Sequence, residues 1–138
     1  MSAPRQDALI ALVREYLSAM EARDLDRAQA LVAADAEFIF PGGRRPANLG
    51  EIVAGSQKRY GRIGKVIDAF DVLPRENGGT VWCYGTLHGE WIDGTAFSGI
   101  RFIDRFEIGG GRIESQRVWN DAGEIAAAHR ATAEGHRT

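Results

Sequence analysis

The sequence predicts an α+β fold in which helices pack on one face of a curved antiparallel sheet. Two observations favour this class. Apolar residues recur at helical spacing in the first 23 residues, whereas residues 66–120 read as strands divided by glycine-containing turns. The predicted order is helix, helix, strand, helix, four strands and a last helix, which is typical of α+β proteins.

The first helix is predicted from an apolar stripe that can be buried on one side. Asp24 is a favourable N-cap for a second, shorter helix over about residues 25–32. A short strand at residues 38–40 ends at a Pro-Gly-Gly turn. Asn48 followed by Glu51 predicts the start of a third helix that reaches about Tyr60. The stripe of the first helix consists of Leu9, Ile10, Val13, Tyr16, Leu17 and Met20.

Four strands follow, and each turn between them has its own signal. Asn77-Gly78-Gly79 and Asp93-Gly94 are typical of hairpins, and three glycines begin at Gly109. Asp121 with Glu124 predicts a last, Ala-rich helix, so residues 122–138 form a C-terminal helix and polar tail within one domain, residues 1–138. The predicted strands are Val66–Leu73, Thr80–Ile92, Ala96–Ile108 and Ile113–Asn120.

Composition excludes several classes of protein. The 138 residues are 44% apolar and 26% charged, and 17 basic residues balance 19 acidic ones, which argues against a dedicated nucleic-acid binder. The early apolar run at residues 8–13 is too short for a membrane span or a typical signal segment, so we expect a cytoplasmic protein without membrane attachment. The lone Cys83 excludes an internal disulfide and a Cys-x-x-Cys site.

Cofactors are not expected either. The glycines at 109–111 lack the Lys and Ser/Thr of a phosphate-binding loop. His88, His129 and His136 are not spaced as a set of metal ligands. The sequence therefore predicts no metal, nicotinamide, flavin or nucleotide.

Positive charge is concentrated in one segment. Residues 41–65 contain six basic residues and one acidic residue, while the flanking segments are acidic. Two interpretations stay open: a solvated helix face and loop, or an entrance that attracts an anionic ligand.

Strand alternation singles out Asp104 as a candidate site residue. It shares a face with four large apolar residues, and a carboxyl group there is costly unless it is paired, hydrogen-bonded or protonated. Tyr16 on the first helix is a candidate partner, although either residue alone is also compatible with a structural role. The apolar neighbours of Asp104 on its face are Ile100, Phe102, Phe106 and Ile108.

The preceding strand has two different faces. The more polar one carries Trp82, Tyr84, Thr86, His88 and Glu90, and the other carries Val81, Cys83, Gly85, Leu87, Gly89 and Trp91. We expect the polar face to point inward, with Trp82 and Tyr84 as core or pocket wall and His88 or Glu90 as a proton acceptor.

Two stretches resemble the nuclear transport factor 2-like superfamily, which includes SnoaL-like polyketide cyclases, ketosteroid isomerases and limonene epoxide hydrolases. They are EYLSAMEARDLDRAQALVAADAEFIF and GIRFIDRFEIGGGRIESQRVWND, and the resemblance covers about residues 7–121. It implies a cone, in which a strongly bent sheet wraps around the N-terminal helices and leaves an interior pocket. It also implies a homodimer formed through the outer sheet face.

The resemblance implies roles for individual residues. Tyr16 and Asp104 fall at the positions whose side chains bind a developing oxyanion in ketosteroid isomerase. The position of that enzyme's general base holds Phe40, which cannot take a proton, so the usual isomerase reaction is not expected. The three polar positions of limonene epoxide hydrolase fall near Tyr84, Thr86 and Val118, which cannot activate water.

Three functions follow from these residues. The first is a cofactor-independent isomerase, cyclase or lyase acting on a small apolar carbonyl compound. The second is a module that binds a small hydrophobic molecule without turnover, and the third is a structural dimerisation domain. In the enzyme, Tyr16, Asp104 and His88 are the expected catalytic residues. The expected substrate-binding residues are Phe40, Trp82, Tyr84, Glu90, Phe102, Phe106, Val118 and Asn120.

Overall fold

Over the residues that the structure describes, four α-helices and five strands make up the fold, with one short 3-10 turn at Pro41–Gly43. A computed structural model describes residues 3–135, with side chains over residues 5–132, so His136 and the end of the predicted tail lie outside the described residues. The helices are α1 (Ala3–Glu21), α2 (Leu25–Gln29), α3 (Leu49–Gln57) and α4 (Ala122–Gly135). The strands are β1 (Val32–Ile39), β2 (Tyr60–Arg75), β3 (Gly78–Trp91), β4 (Ala96–Gly109) and β5 (Arg112–Asn120).

The strands form one five-stranded sheet in the order β1-β5-β4-β3-β2. Strands β2 to β5 are an antiparallel meander, as predicted. The first strand is longer than the predicted residues 38–40 and pairs in parallel with β5. The Leu31 carbonyl accepts a hydrogen bond from Ile113 N at 2.9 Å. Residues 31–32, which were predicted as the end of the second helix, therefore pair with β5.

The sheet is strongly curved and does not close on itself. Irregular pairing interrupts β2 between Ile67 and Ala69, and it interrupts the β3–β4 ladder between Leu87 and Gly89. A Cβ atom on Gly85 would lie 2.0 Å from the Val66 carbonyl oxygen, so the close approach of β2 at this bend requires glycine. The bends produce the concave face that holds the core.

Helix α1 contributes its apolar stripe to this core and packs against β2 and β3. Val13 and Tyr16 are fully buried, as are Phe106 on β4 and Ile113 on β5. Burial of Ile100, Phe102, Asp104, Phe106 and Ile108 confirms the predicted inward face of β4.

The predicted inward face of β3 is wrong. From Val81 onward its buried residues are Val81, Cys83, Gly85, Leu87, Gly89 and Trp91, while the more polar alternate positions are only half-buried. The register gives the reason, because Cys83 lies directly opposite the inward-facing Asp104. Two of the residues on this inner face are glycines, Gly85 and Gly89, so in the sequence the face appears less apolar than a buried strand face usually is.

The helix caps follow the sequence at two of the three predicted sites. Asp24 Oδ1 accepts from Arg27 N at 3.3 Å, and Asn48 Oδ1 accepts from Glu51 N at 2.9 Å. At the third, the Asp121 carboxylate instead accepts a bond from Arg101 Nε at 2.6 Å.

None of the helices within the described chain has the length and hydropathy needed to cross a membrane.

Candidate functional site

A cavity of about 660 Å³ lies between the concave face of the sheet and helices α1, α3 and α4. Its walls include apolar side chains from the helices and from the inward faces of the strands. The cavity brings together six of the predicted site residues. They are Tyr16, Phe40, Phe102, Asp104, Val118 and Asn120.

The other five predicted residues do not line this cavity. Trp82 lies on the outer face beneath the Arg105 guanidinium, which is 5.7 Å from the ring centre, and Tyr84 shares that face. Glu90 pairs with Arg62 at 3.6 Å. Phe106 lies in the core and meets the Tyr16 ring edge-on, with ring centres 5.9 Å apart.

His88 lies outside the cavity as well, so the chain does not bring it together with Tyr16 and Asp104. It pairs in register with Gly64, and a Cβ atom on that glycine would lie 2.8 Å from His88 Nε2. Its Nδ1 is buried without a hydrogen-bond partner among the described residues. The imidazole therefore lies against Gly64 of β2, next to Glu21, whose Oε1 would be 3.1 Å from the same Cβ atom.

The Tyr16 hydroxyl donates a hydrogen bond to Gln116 Oε1 at 2.7 Å, and both side chains are buried. Burial, and after it the nearby Asp104 carboxyl, raise the pKa of Tyr16. The expected direct bond between Tyr16 and Asp104 is therefore not formed. The bond to Gln116 holds both side chains in place and turns the Gln116 amide nitrogen away from Tyr16.

Asp104 is fully buried, and neither of its carboxyl oxygens has a well-formed hydrogen bond from any described residue. Lys65 Nζ lies 3.5 Å from Asp104 Oδ2 and 5.3 Å from the centre of the Phe102 ring. Burial raises the pKa of Asp104, and the Lys65 ammonium and the Gln116 amide act against that rise. A neutral Asp104 is a hydrogen-bond donor, and an ionised one is paired with Lys65.

Cys83 lies behind Asp104 in the register and is fully buried. Burial, together with the neighbouring Asp104, raises the pKa of the thiol to about 12. At neutral pH the sulfur is therefore a protonated thiol and contributes packing without a nucleophile.

Two polar residues next to Asp104 escaped prediction as site residues, although the sequence carried a signal for one of them. Gln116 alternates with Val118 and Asn120 on one face of β5, which marks it as inward-facing. Lys65 gave no such signal, because the predicted strand began at Val66, whereas β2 begins at Tyr60 and turns Lys65 toward Asp104.

Helix α4 covers part of the cavity. His129 Nε2 lies 2.8 Å from Asp93 Oδ2, and its ring stacks on Trp91 with centres 6.1 Å apart. The hydrogen bond to His129 is the main reason that the pKa of Asp93 is lowered to about 2. These contacts fasten the last helix to the β3–β4 turn.

The acidic and histidine side chains of the cavity lie apart from one another. Within the part of the chain that the structure describes, no three His, Cys, Asp or Glu residues form a group that could hold an ion. The polar centre is instead an amide, a carboxyl and an ammonium group.

Similarity in sequence and in structure points to one family. The SnoaL-like domain family matches residues 13–116, and no curated protein matches the chain in sequence. A protein of unknown function from Burkholderia pseudomallei, described as NTF2-like, has a similar structure at 19% identity, with a TM-score of 0.71 over 91% of this chain and 95% of its own.

Two further structures have the same fold. TerC, co-crystallised with polyporic acid, is 15% identical, with a TM-score of 0.71 over 87% of this chain and 96% of its own. An NTF2-like protein from Burkholderia thailandensis is 20% identical, with a TM-score of 0.69 over 94% and 98% of the two chains. The chain therefore belongs to the SnoaL-like domain family of the NTF2-like superfamily.

Proposed function

We propose that the protein is a cofactor-independent acid/base enzyme of the isomerase, cyclase or lyase type, acting on a small, largely apolar carbonyl compound in the cavity. The observation that carries this proposal is the Asp104 carboxyl, which is fully buried on the cavity wall without a well-formed hydrogen bond. A buried polar group of this kind is costly unless a bound molecule supplies the missing partner.

In this proposal Asp104 and Lys65 polarise the substrate carbonyl. A protonated Asp104 donates a hydrogen bond to the carbonyl oxygen, and the Lys65 ammonium, 3.5 Å from Asp104, adds positive charge beside it. Both interactions strengthen as negative charge develops on that oxygen in an enolate-like transition state. Tyr16 is a positioning residue, since its hydroxyl is engaged with Gln116.

The proton acceptor in this proposal is Glu21, at the end of α1. It lines the cavity, and its Oε2 accepts a hydrogen bond from the Lys65 backbone N at 3.4 Å, which places it beside one member of the polarising pair. Glu21 would take a proton from the carbon next to the carbonyl, and the electrons of that C–H bond would move toward the oxygen held by Asp104. Returning the proton at another carbon completes an isomerisation.

The second candidate function is binding without turnover. The observation that favours it is that neither His88 nor Glu90, the predicted proton acceptors, lines the cavity. If Glu21 only holds its bond to Lys65 N, the cavity has a polarising group without a working base and would hold a carbonyl or hydroxyl compound without changing it.

Exchange of α-protons for deuterium separates the two functions, because it detects enolisation without knowledge of the product. With 2-tetralone in D₂O, followed by NMR, we expect the protein to exceed the buffer rate. Asp104→Asn and Glu21→Gln should each lower the catalysed rate on the order of 10²-fold. Glu90→Gln, which makes the same change outside the cavity, is the matched control. Binding of 2-tetralone without exchange would contradict the enzyme proposal and favour the binding module.

We also propose the expected homodimer, with the outer face of the sheet as its interface. Support comes from Tyr84, Ile103 and Trp119, which lie side by side on three adjacent strands of that face. Ile103 is 37% exposed and Trp119 is 51% exposed, and a second copy of the chain would cover them.

A further inference from the structure

Five cationic side chains on the surface line the cavity, and we refer to them as the cationic rim. All five are exposed, and none forms an ion pair with an acidic side chain in residues 5–132. Two of the acidic residues of the cavity are engaged elsewhere, since Asp93 binds His129 and Glu51 accepts a bond from Ala47 N. The rim consists of Arg23, Arg44, Lys58, Arg59 and Arg130.

Two of these cations converge on one point. A Cβ atom on Gly55 would lie 3.6 Å from Arg44 Nη1 and 4.0 Å from Arg59 Nη1, so the glycine leaves a space bordered by both guanidinium groups. Partial burial, and after it the charge of Arg59, lower the pKa of Arg44. Such like charges repel each other, and an anion between them would relieve the repulsion.

A third polar group lies within the electrostatic field of these two arginines. Tyr60 follows Arg59 in sequence and also lines the cavity, and its ring stacks on Trp91 with centres 5.6 Å apart. Burial raises the pKa of its hydroxyl, while the positive charges of Arg59 and Arg44 act against that rise. Tyr60 is therefore a neutral donor within the field of both arginines.

The local structure fixes this arrangement before any molecule binds. Gly42 and Gly43 have φ values of 82° and 77°, which allow the tight turn that brings Arg44 back beside Phe40. Arg44 Nε donates to the Pro41 carbonyl at 3.2 Å, which holds the guanidinium and leaves Nη1 directed toward Gly55. Helix α3 ends at Gln57, so Arg59 follows directly after its last turn.

We infer that the space beside Gly55, bordered by Arg44, Arg59 and the Tyr60 hydroxyl, binds an oxyanion group, so that the molecule taken up by the cavity is an amphipathic organic anion. Its charged group sits at the cationic rim, while its apolar body extends along Phe40 and Ile52 toward Asp104. This inference rests on the proposed function only in requiring that the cavity holds a small molecule.

The first test compares two fluorescent probes that differ in one group. 1-Anilinonaphthalene-8-sulfonate carries an oxyanion, and N-phenyl-1-naphthylamine is the same molecule without it. We expect Arg44→Gln and Arg59→Gln each to weaken binding of the sulfonate about tenfold and to leave the neutral probe unchanged. Arg45→Gln, which removes the neighbouring exposed charge outside the cavity, is the matched control.

The second test supplies the anion from the chain itself. Gly55→Asp would place a carboxylate between the two guanidinium groups, and Gly55→Asn has the same shape without charge. We expect the Asp variant to bind the sulfonate probe at least about tenfold more weakly than the Asn variant. Competition by 1-naphthoate and by 1-naphthyl phosphate then tells which oxyanion the space prefers.

The outcomes separate this inference from the proposed function. Equal effects of the Arg44, Arg59 and Arg45 changes, equal affinity of the two Gly55 variants, or no binding of either probe would overturn the inference. The rate of deuterium exchange of 2-tetralone is independent of these outcomes, because this compound is neutral and carries no oxyanion for the arginines to bind. Loss of that exchange together with intact, arginine-dependent sulfonate binding would contradict the enzyme proposal and leave the inference standing.

Discussion

Asp104 is an acidic residue whose carboxyl group is fully buried in the protein. Burial raises the pKa of its carboxyl, so the folded state holds the proton more tightly than the unfolded chain does. The stabilisation from this proton is fully present below about pH 4, the pKa of an unfolded Asp. It is lost as the pH rises toward and through the raised pKa of the folded protein.

Asp104→Asn tests this assignment through stability, independently of any substrate. The difference in free energy of unfolding, wild type minus variant, should fall with rising pH above about pH 4, by up to about 1.4 kcal/mol per pH unit. Urea unfolding across a pH series measures it. The exposed change Asp68→Asn is the matched control, and a rise for Asp104→Asn would mean that Lys65 keeps the carboxyl ionised.

The sequence could single out Asp104 because a carboxyl group in an apolar strand face breaks a regular pattern. Tyr16 belongs to the apolar stripe of α1, and the family resemblance, not the pattern, made it a candidate site residue. Their connection could not be predicted, because Gln116 comes between them only once β5 is aligned beside β4. The register of β3 likewise decides that His88 lies outside the cavity.

At the scale of the elements, local signals determined most of the fold. Caps and turn residues act within four or five positions, so helices α1 to α3 and the three hairpin turns were predictable. The inward face of β3 was not, because bulky side chains occupy both faces and glycines interrupt the inner one. The extent of β1 depends on a distant partner, β5, which no local pattern records.

Helix α3 depends on its N-terminal cap. Lys58 and Arg59 of the cationic rim follow the C-terminal end of this helix, so the cap also supports the rim. Asn48 Oδ1 accepts from Glu51 N, and Glu51 Oε2 accepts from Ala47 N at 2.7 Å. We expect Asn48→Ala to lower the free energy of unfolding by about 1 kcal/mol, as measured by urea unfolding. Asn48→Ser retains a capping oxygen, and an equal loss in that variant would show that the cap is not the cause.

The outer sheet face decides how whole molecules meet. In the proposed homodimer, the exposed side chains of Ile103 and Trp119 lie in the interface between the two copies. We expect Trp119→Glu to halve the molar mass measured by light scattering after size exclusion, because the carboxylate would be buried in the interface. Ile125→Glu places the same charge on another exposed apolar residue and should leave the mass unchanged. A wild type with the mass of one chain would contradict the dimer.

The parallel pairing of β1 with β5 also has a consequence for how the chain folds. The hairpins from β2 to β5 join neighbours in sequence and close short loops, whereas β1 must wait for a partner that lies beyond three further strands. Closing so long a loop carries a high entropic cost and slows folding. During synthesis, β1 therefore leaves the ribosome well before β5 exists, and the wall that holds Gln116 against Tyr16 is among the last parts to assemble.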